Sequence, residues 1–259
     1  MTSDFHFRFG GVARLYGQAA LASFRTSHVA IIGIGGVGSW AAEALARSGI
    51  GELSLFDLDE VCVSNINRQI HALQDSVGQL KVDSMAARLL AINPELKVHA
   101  CHTFVTAKNV TTLLHKDFDY VFDATDSVNA KTAIIAHCRR HKIRIISSGG
   151  AGGQIDPTQI KLDDLSRTTQ DPLLAKVRNH LRRLHGFTRN PKRKFSVDCV
   201  YSTEQLRYDQ GDGSVCVKKP ENQGATKLDC ASGFGAITHI TASFGLVAVS
   251  RILQKLAKN

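Results

Sequence analysis

The chain has 259 residues, 43% of them hydrophobic and 21% charged, a composition that suits a folded globule large enough to bury a full core and argues against a disordered or collagen-like chain. Its six cysteines, Cys62, Cys101, Cys138, Cys199, Cys216 and Cys230, contain no Cys-x-x-Cys pair to hold zinc and no disulfide-like spacing, and the first eleven residues carry Asp4, His6 and Arg8 where a secretory signal would be apolar. A reducing, cytoplasmic setting is expected. The formal charge of +9 is concentrated between Asp171 and Asp198, where Lys176, Arg178, Arg182, Arg183, Arg189, Lys192, Arg193 and Lys194 occur without an acid; such a stretch suits a polyanion such as RNA, or else a solvated helix face and loop.

Residues 5–27 read as a helical arm, with Phe7, Phe9, Leu15, Leu21 and Phe24 as its apolar contacts. Val29 to Ile32 then reads as a buried parallel strand that stops at Gly33, Gly35, Gly36 and Gly38, and Ser39 to Arg47 as the following helix, with Trp40, Ala41, Ala44 and Leu45 at helical spacing. A strand running into a glycine turn and a helix start is a phosphate cradle: backbone N–H groups point outward, and no Cβ blocks the anion. Leu53 to Phe56 forms a second strand ending at Asp57, an acid about twenty residues past the glycines and placed to accept ribose hydroxyls. The glycines alone would also suit a nicotinamide cofactor.

The polar loop Ser64-Asn65-Ile66-Asn67-Arg68-Gln69 points away from that reading. A triphosphate brings about four negative charges, which Arg68 can meet in two-pronged fashion, with Lys81 as a second cation at the start of a helix running to Ile92. Val82, Met85, Leu89 and Ile92 are that helix's apolar stripe. Residues 97–105 and Tyr120 to Ala124 make two more strands, the latter followed by Asp126, at a position suited to Mg²⁺ on the phosphates or to capping a helix at 127–141. Arg144 to Ser148 is a fifth strand, leading into the Gly149–Gly153 turn. Beyond it come a strand near Gln159–Leu162, a helix near Pro172–Leu184, the basic loop, and short strands at 195–201 and 214–218. The stretch from Gly233 to Leu256 is nearly apolar enough over 234–253 for a membrane span, but His239, several Thr and Ser, and Arg251 favour a helix buried on the sheet. The expected fold is a Rossmann-like, doubly wound, mainly parallel α/β sheet in a single domain: a nucleotide-binding core over 5–165, a substrate-facing basic insert over 166–230 and a packing helix over 231–259.

Taken together, Gly33-Ile-Gly-Gly-Val-Gly38, Asp57, Ser64-Asn-Ile-Asn-Arg-Gln69, Lys81 and Asp126 resemble the ubiquitin-activating-enzyme superfamily, which includes the adenylyltransferases of sulfur-carrier proteins. Within it, Asn67-Arg-Gln-Ile-His-Ala72, Gly149-Gly-Ala-Gly-Gly-Gln-Ile-Asp-Pro-Thr158, Gln170-Asp-Pro172 and Asp229-Cys-Ala-Ser-Gly-Phe-Gly235 are most similar to the family of tRNA threonylcarbamoyladenosine dehydratases, across nearly the whole chain. The resemblance implies ATP with Mg²⁺, Gly36 against the nucleotide, Asp57 on the ribose, Ser64 to Arg68 along the phosphates, Lys81 on the leaving pyrophosphate and Asp126 on the metal. It also implies a homodimer in which an N-terminal arginine crosses the interface. The aligned position here is Gly11, so Arg8 or Arg14 is the available substitute.

The implied partner is tRNA and not DNA, gripped by Arg178, Arg182, Arg183, Arg189, Lys192, Arg193 and Lys194, and a sulfur-trafficking protein is a further partner to consider. The expected reaction is ATP-dependent cyclisation of a threonylcarbamoyl-modified adenosine. With no cysteine between Arg139 and Asp198, transfer through a crossover thioester is not expected, and Cys230 stands either as a packed side chain or as a direct participant. The alternatives are an adenylyltransferase acting on the C-terminus of a ubiquitin-like sulfur carrier, and a binding module that uses ATP only to set its shape.

Overall fold

A computed structural model describes residues 4–218 and 234–258. The arm forms three short helices, α1 (Asp4–Arg8), α2 (Gly10–Tyr16) and α3 (Gln18–Thr26). They lead into β1 (His28–Ile32), α4 (Gly38–Arg47), β2 (Glu52–Asp57), α5 (Lys81–Ile92), β3 (Lys97–His102), α6 (Val110–Leu113), β4 (Tyr120–Asp123), α7 (Val128–His141) and β5 (Ile145–Ser148). Then come β6 (Ile160–Asp164), α8 (Pro172–Leu184), β7 (Asp198–Ser202), the hairpin β8 (Tyr208–Asp209) and β9 (Val215–Cys216), and α9 (Thr238–Leu256).

Seven strands form one sheet in the order β3-β2-β1-β4-β5-β7-β6, parallel except where β6 runs against β7. The order reverses between β1 and β4, the switch point where open α/β sheets bind ligands at the carboxyl ends of their strands. Strands β1 and β4 carry short apolar runs because helices cover both faces of the sheet: they are buried from Val29 to Ile32 and from Tyr120 to Asp123.

One expectation about packing needs correction. In the arm, Phe9, Leu21 and Phe24 are buried, but Phe7 is 91% and Leu15 is 79% exposed, because the breaks at Phe9 and Gly17 turn them off the face that meets the core. On α4 the buried face is Ala41, Ala42, Leu45 and Ala46, with Trp40 on its flank, where its indole Nε1 donates to the Arg68 carbonyl at 3.1 Å.

The C-terminal helix begins at Thr238, later than expected, because backbone groups just before it serve other elements. Gly235 O accepts from Gly153 N at 2.7 Å and Ala236 O from Asn67 Nδ2 at 2.7 Å. Among the described residues no helix is long and apolar enough to cross a membrane. Instead α9 lies against α4 with Ile240, Phe244, Ala248, Ile252 and Leu256 buried, and close approach depends on Gly245, where a Cβ would come 2.7 Å from Val37 O.

Two glycines of the turn have distinct requirements. A Cβ on Gly38 would lie 1.9 Å from Gly33 O, whereas one on Gly35 meets nothing within 4 Å. Gly38→Ala is therefore expected to displace the strand-to-helix turn and destabilise the fold by about 1–3 kcal/mol or more. Gly35→Ala should melt like the parent, since its methyl group would enter open space. Thermal melts separate the two.

Candidate active site

The glycine turn follows β1 and Asp126 follows β4, the two strands that flank the switch point, with Ile32 paired to Asp123 across them. Gly33 has φ +90°, and a Cβ there would meet Ala124 O at 3.0 Å, so the first glycine is required by the neighbouring strand end. Gly36 is closed in from its Cβ side by Thr241 at 3.1 Å and by the Arg68 side chain at 3.4 Å, which puts the turn, the Arg68 loop and α9 in direct contact.

Asp57, buried at the tip of β2, accepts from Ile34 N at 2.7 Å and from Asp59 N at 3.0 Å. Its carboxylate thereby ties the second strand to the glycine turn. Two residues on, Asp59 forms a 2.7 Å ion pair with the Lys81 ammonium, which opens α5 and is itself buried while Asp59 is half exposed. The pair fixes the Lys81 ammonium beside the polar loop, where an incoming phosphate can compete for it.

In the polar loop, Arg68 is half-buried and its guanidinium donates to Ser64 O at 2.6 Å and to Asn67 Oδ1 at 3.0 Å. Ser64 and Asn67 are exposed, whereas Asn65 is buried and its Oδ1 accepts from Cys62 N at 3.1 Å, which shapes the turn. The loop is fastened from α9: Thr238 Oγ1 donates to Asn67 O, and Thr241 Oγ1 to Arg68 O at 3.3 Å. This role of the last helix was not visible in its apolar pattern.

Asp126 is exposed and makes no hydrogen bond or ion pair with the described residues. It is not the cap of α7, since Ser127 fills that role by accepting from Ala130 N. Beneath it lies a group that the sequence reading missed. Lys131 and Asp123 are fully buried, 2.8 Å apart, and Ser147 Oγ lies 2.7 Å from the same Asp123 oxygen. The other Asp123 oxygen accepts from Thr125 Oγ1 at 2.7 Å, which fixes the turn that presents Asp126. The signal was available: Lys131 shares one helical face with Ile134, Ile135 and Cys138, all buried.

The Gly149–Gly153 turn lies at the same strand ends. Asp171 caps α8 by accepting from Leu174 N and reaches across to Gly150 N at 2.9 Å, binding the insert to the crevice. Burial pushes its carboxyl above the usual carboxylate range, and those N–H groups oppose the shift.

The basic stretch divides in two. Arg178 turns inward to donate to Thr168 Oγ1, and Arg182 lies over the Phe195 ring at 5.4 Å. Arg183, Arg189, Lys192, Arg193 and Lys194 are exposed. Arg193 and Lys194, with Arg139 and Arg140 from the end of α7, line a cleft of about 630 Å³ that was not foreseen as a unit. In the arm, Arg8 is held by Ile92 O at 3.0 Å and by Asp4, whereas Arg14 is exposed and makes no hydrogen bond or ion pair with the described residues. Cys230 and the Asp229–Gly233 part of its motif lie outside the described residues; Cys62, Cys101, Cys138, Cys199 and Cys216 are free thiols.

Residues 11–259 match the ThiF family model. The chain belongs to the ThiF family. Within the family it is 56% identical to the tRNA threonylcarbamoyladenosine dehydratase of Escherichia coli over 249 residues, 96% of this chain and 93% of the relative. It is 35% identical to the molybdopterin-synthase adenylyltransferase of the same organism, over 131 residues and 51% of each chain. The crystal structure of the E. coli tRNA N6-threonylcarbamoyladenosine dehydratase in complex with ATP superposes with a TM-score of 0.87 at 50% identity, covering 98% of this chain and 96% of that one. The Rossmann-like fold, with its antiparallel edge strand and closing helix, is thus shared with that structure over nearly all of the ThiF chain.

His71, in the Asn67–Ala72 motif of this ThiF chain, is buried with neither ring nitrogen hydrogen-bonded to the described residues; burial first, then Lys81 and Arg88, lower its pKa from 6.5 to about 4. Because the folded pKa lies below the unfolded one, the unfolded chain binds more protons between these values, and stability falls as the pH drops from 6.5 towards 4. The loss from this group is roughly 3 kcal/mol. Melting temperature against pH should fall through that window, and His71→Gln should flatten the fall.

Proposed function

We propose that this protein is an ATP-dependent tRNA-modifying dehydratase that closes the threonylcarbamoyl group of N6-threonylcarbamoyladenosine into a ring. The observation that carries the reading is the extent of the match. The dehydratase relative aligns through the insert, the Gly149–Gly153 turn and the closing helix, whereas the sulfur-carrier adenylyltransferase aligns over only half the chain. The whole chain then works as one adenylating domain.

In the proposed reaction the free carboxylate of the substituent attacks the α-phosphorus of ATP, and pyrophosphate leaves. A carbamoyl atom of the same group then attacks the activated carbonyl, expels AMP and closes the ring with net loss of water. Both reacting ends belong to one substituent, so proximity replaces a protein nucleophile. Arg68 and the turn amides stabilise charge at the phosphates, Lys81 moves from Asp59 to the departing pyrophosphate, and Asp57 takes the ribose. Gly33, Gly35, Gly36 and Gly38 shape the cradle, with Ser64, Asn65 and Asn67 forming the loop beside it.

The unpartnered Asp126 fits Mg²⁺, which is commonly held through one or two carboxylates and the substrate's phosphates. Such an ion neutralises charge on the transferring group. The exposed cations from Arg183 to Lys194 would hold tRNA phosphates. Exposed Phe7, Leu15 and Arg14 support a homodimer in which Arg14, and not the already engaged Arg8, reaches the partner's nucleotide. The cytoplasm is the expected location.

Pure protein incubated with ATP and threonylcarbamoyl-modified tRNA is expected to yield AMP, pyrophosphate and a nucleoside lighter by one water, detected by mass spectrometry under mild isolation. An unchanged nucleoside would refute the reading. ATP–pyrophosphate exchange that required a ubiquitin-like protein and ignored tRNA would favour the sulfur-carrier alternative, and ATP binding without AMP formation would favour a binding module.

A further inference from the structure

At the opposite edge of the sheet, the amino ends of β1, β2 and β3 bring together His28, Glu52 and His99. The strand register explains the cluster. His28 is paired with Glu52, and His99 with Ser54, two residues along β2 on the same face as Glu52. His99 Nε2 lies 2.8 Å from Glu52 Oε1, His28 Nδ1 lies 3.6 Å from the same oxygen, and one donor atom from each residue can be chosen so that all lie within 4.8 Å of one another. The crevice with the glycine turn is a full strand length away, roughly 15 Å.

We propose that His28, Glu52 and His99 form a binding site for a divalent transition metal of the zinc type, separate from the nucleotide crevice. Two imidazoles and one carboxylate are the donors that such borderline ions take, in contrast to Mg²⁺ or Ca²⁺, which prefer oxygen alone. The surroundings prepare these groups to bind a cation. Ser54 Oγ is 2.9 Å from His28 Nε2; with the ring proton assigned there, Nδ1 turns a lone pair towards the Glu52 carboxylate, an opposition that a cation between them relieves.

The Phe118 ring packs on His28 with centroids 4.6 Å apart and restricts its rotation. His99 is exposed and leaves the fourth coordination position open to water. Its proton moves to Nδ1 when Nε2 takes the metal. The bound ion would clasp three parallel strands at the edge away from the chemistry.

The test uses tag-free full-length protein, stripped with a chelator and titrated with Zn²⁺ in excess Mg²⁺, and in parallel with Co²⁺ followed by visible absorption. One zinc per chain, and the intense absorption bands of four-coordinate cobalt, are expected. Affinity should fall about tenfold or more in His99→Ala and in Glu52→Gln, and stay unchanged in His102→Ala, which removes a nearby exposed imidazole on the same strand. His99 is exposed, so its variant should fold and bind ATP as the parent does. Failure to bind zinc at micromolar concentration, or undiminished binding in both variants, would overturn the assignment.

Discussion

Arg68→Ala is expected to lower the rate of ATP–pyrophosphate exchange and of AMP release by roughly 10²–10³-fold, the usual loss when one preorganised charge on a developing anion is removed. The change should fall mainly on kcat if the guanidinium acts on the transition state, with a smaller rise in the KM for ATP. Stability should change by less than about 1 kcal/mol, because the two side-chain bonds lost, to Ser64 O and Asn67 Oδ1, free exposed groups that water can satisfy, while α9 and α4 fasten the loop through the Arg68 backbone. Trp40 Nε1 and Thr241 Oγ1 both donate to its carbonyl, and Asn67 Nδ2 still reaches Ala236 O. Arg68→Lys keeps the charge but loses the two-pronged geometry and should recover only part of the rate. An Arg68→Ala enzyme with parental exchange kinetics would remove the main cation from the proposed mechanism.

Lys131→Met should destabilise the fold by about 3–5 kcal/mol, because it removes the countercharge of the Asp123 carboxyl in a fully buried site. For a chain of this size each kcal/mol lowers Tm by about 2–4 °C. The double variant Lys131→Met with Asp123→Asn removes both charges and should recover much of the loss. Because Asp123 also holds Thr125 in the turn before Asp126, the single variant should bind ATP more weakly even well below its melting temperature. Calorimetric melts and ATP titration at 20 °C would read the two effects separately.

Much of the candidate crevice was legible in the sequence because its parts are local. An apolar run, a glycine turn and a helix start specify β1, the cradle and α4 within twenty residues, and Asp57 is placed by the length of the next strand. α8 was likewise announced by Asp171-Pro172, a side-chain cap followed by a residue preset for the first helical turn. The basic insert was visible as composition but not as geometry: nothing in the spacing of Arg178 and Arg182 shows that one would turn to Thr168 and the other lie on Phe195, since both partners come from other segments. Phe7 and Leu15 misled in the opposite sense, because apolar identity predicts burial only if the helix continues unbroken, and here it breaks at Phe9 and again at Gly17.

By itself the sequence determined the parallel sheet, the glycine turn between β1 and α4, the positions of Arg68 and Lys81, and Asp126 beyond a strand end, because periodicity and turn chemistry act over a few residues. Tertiary structure alone decided that α9 fastens the Arg68 loop, that Asp59 holds Lys81, that Asp123, Lys131 and Ser147 form a buried group beneath Asp126, and that His28, Glu52 and His99 meet. Each of these joins residues from separate elements, and strand order and register, which bring them within bonding distance, arise only when the whole sheet has assembled.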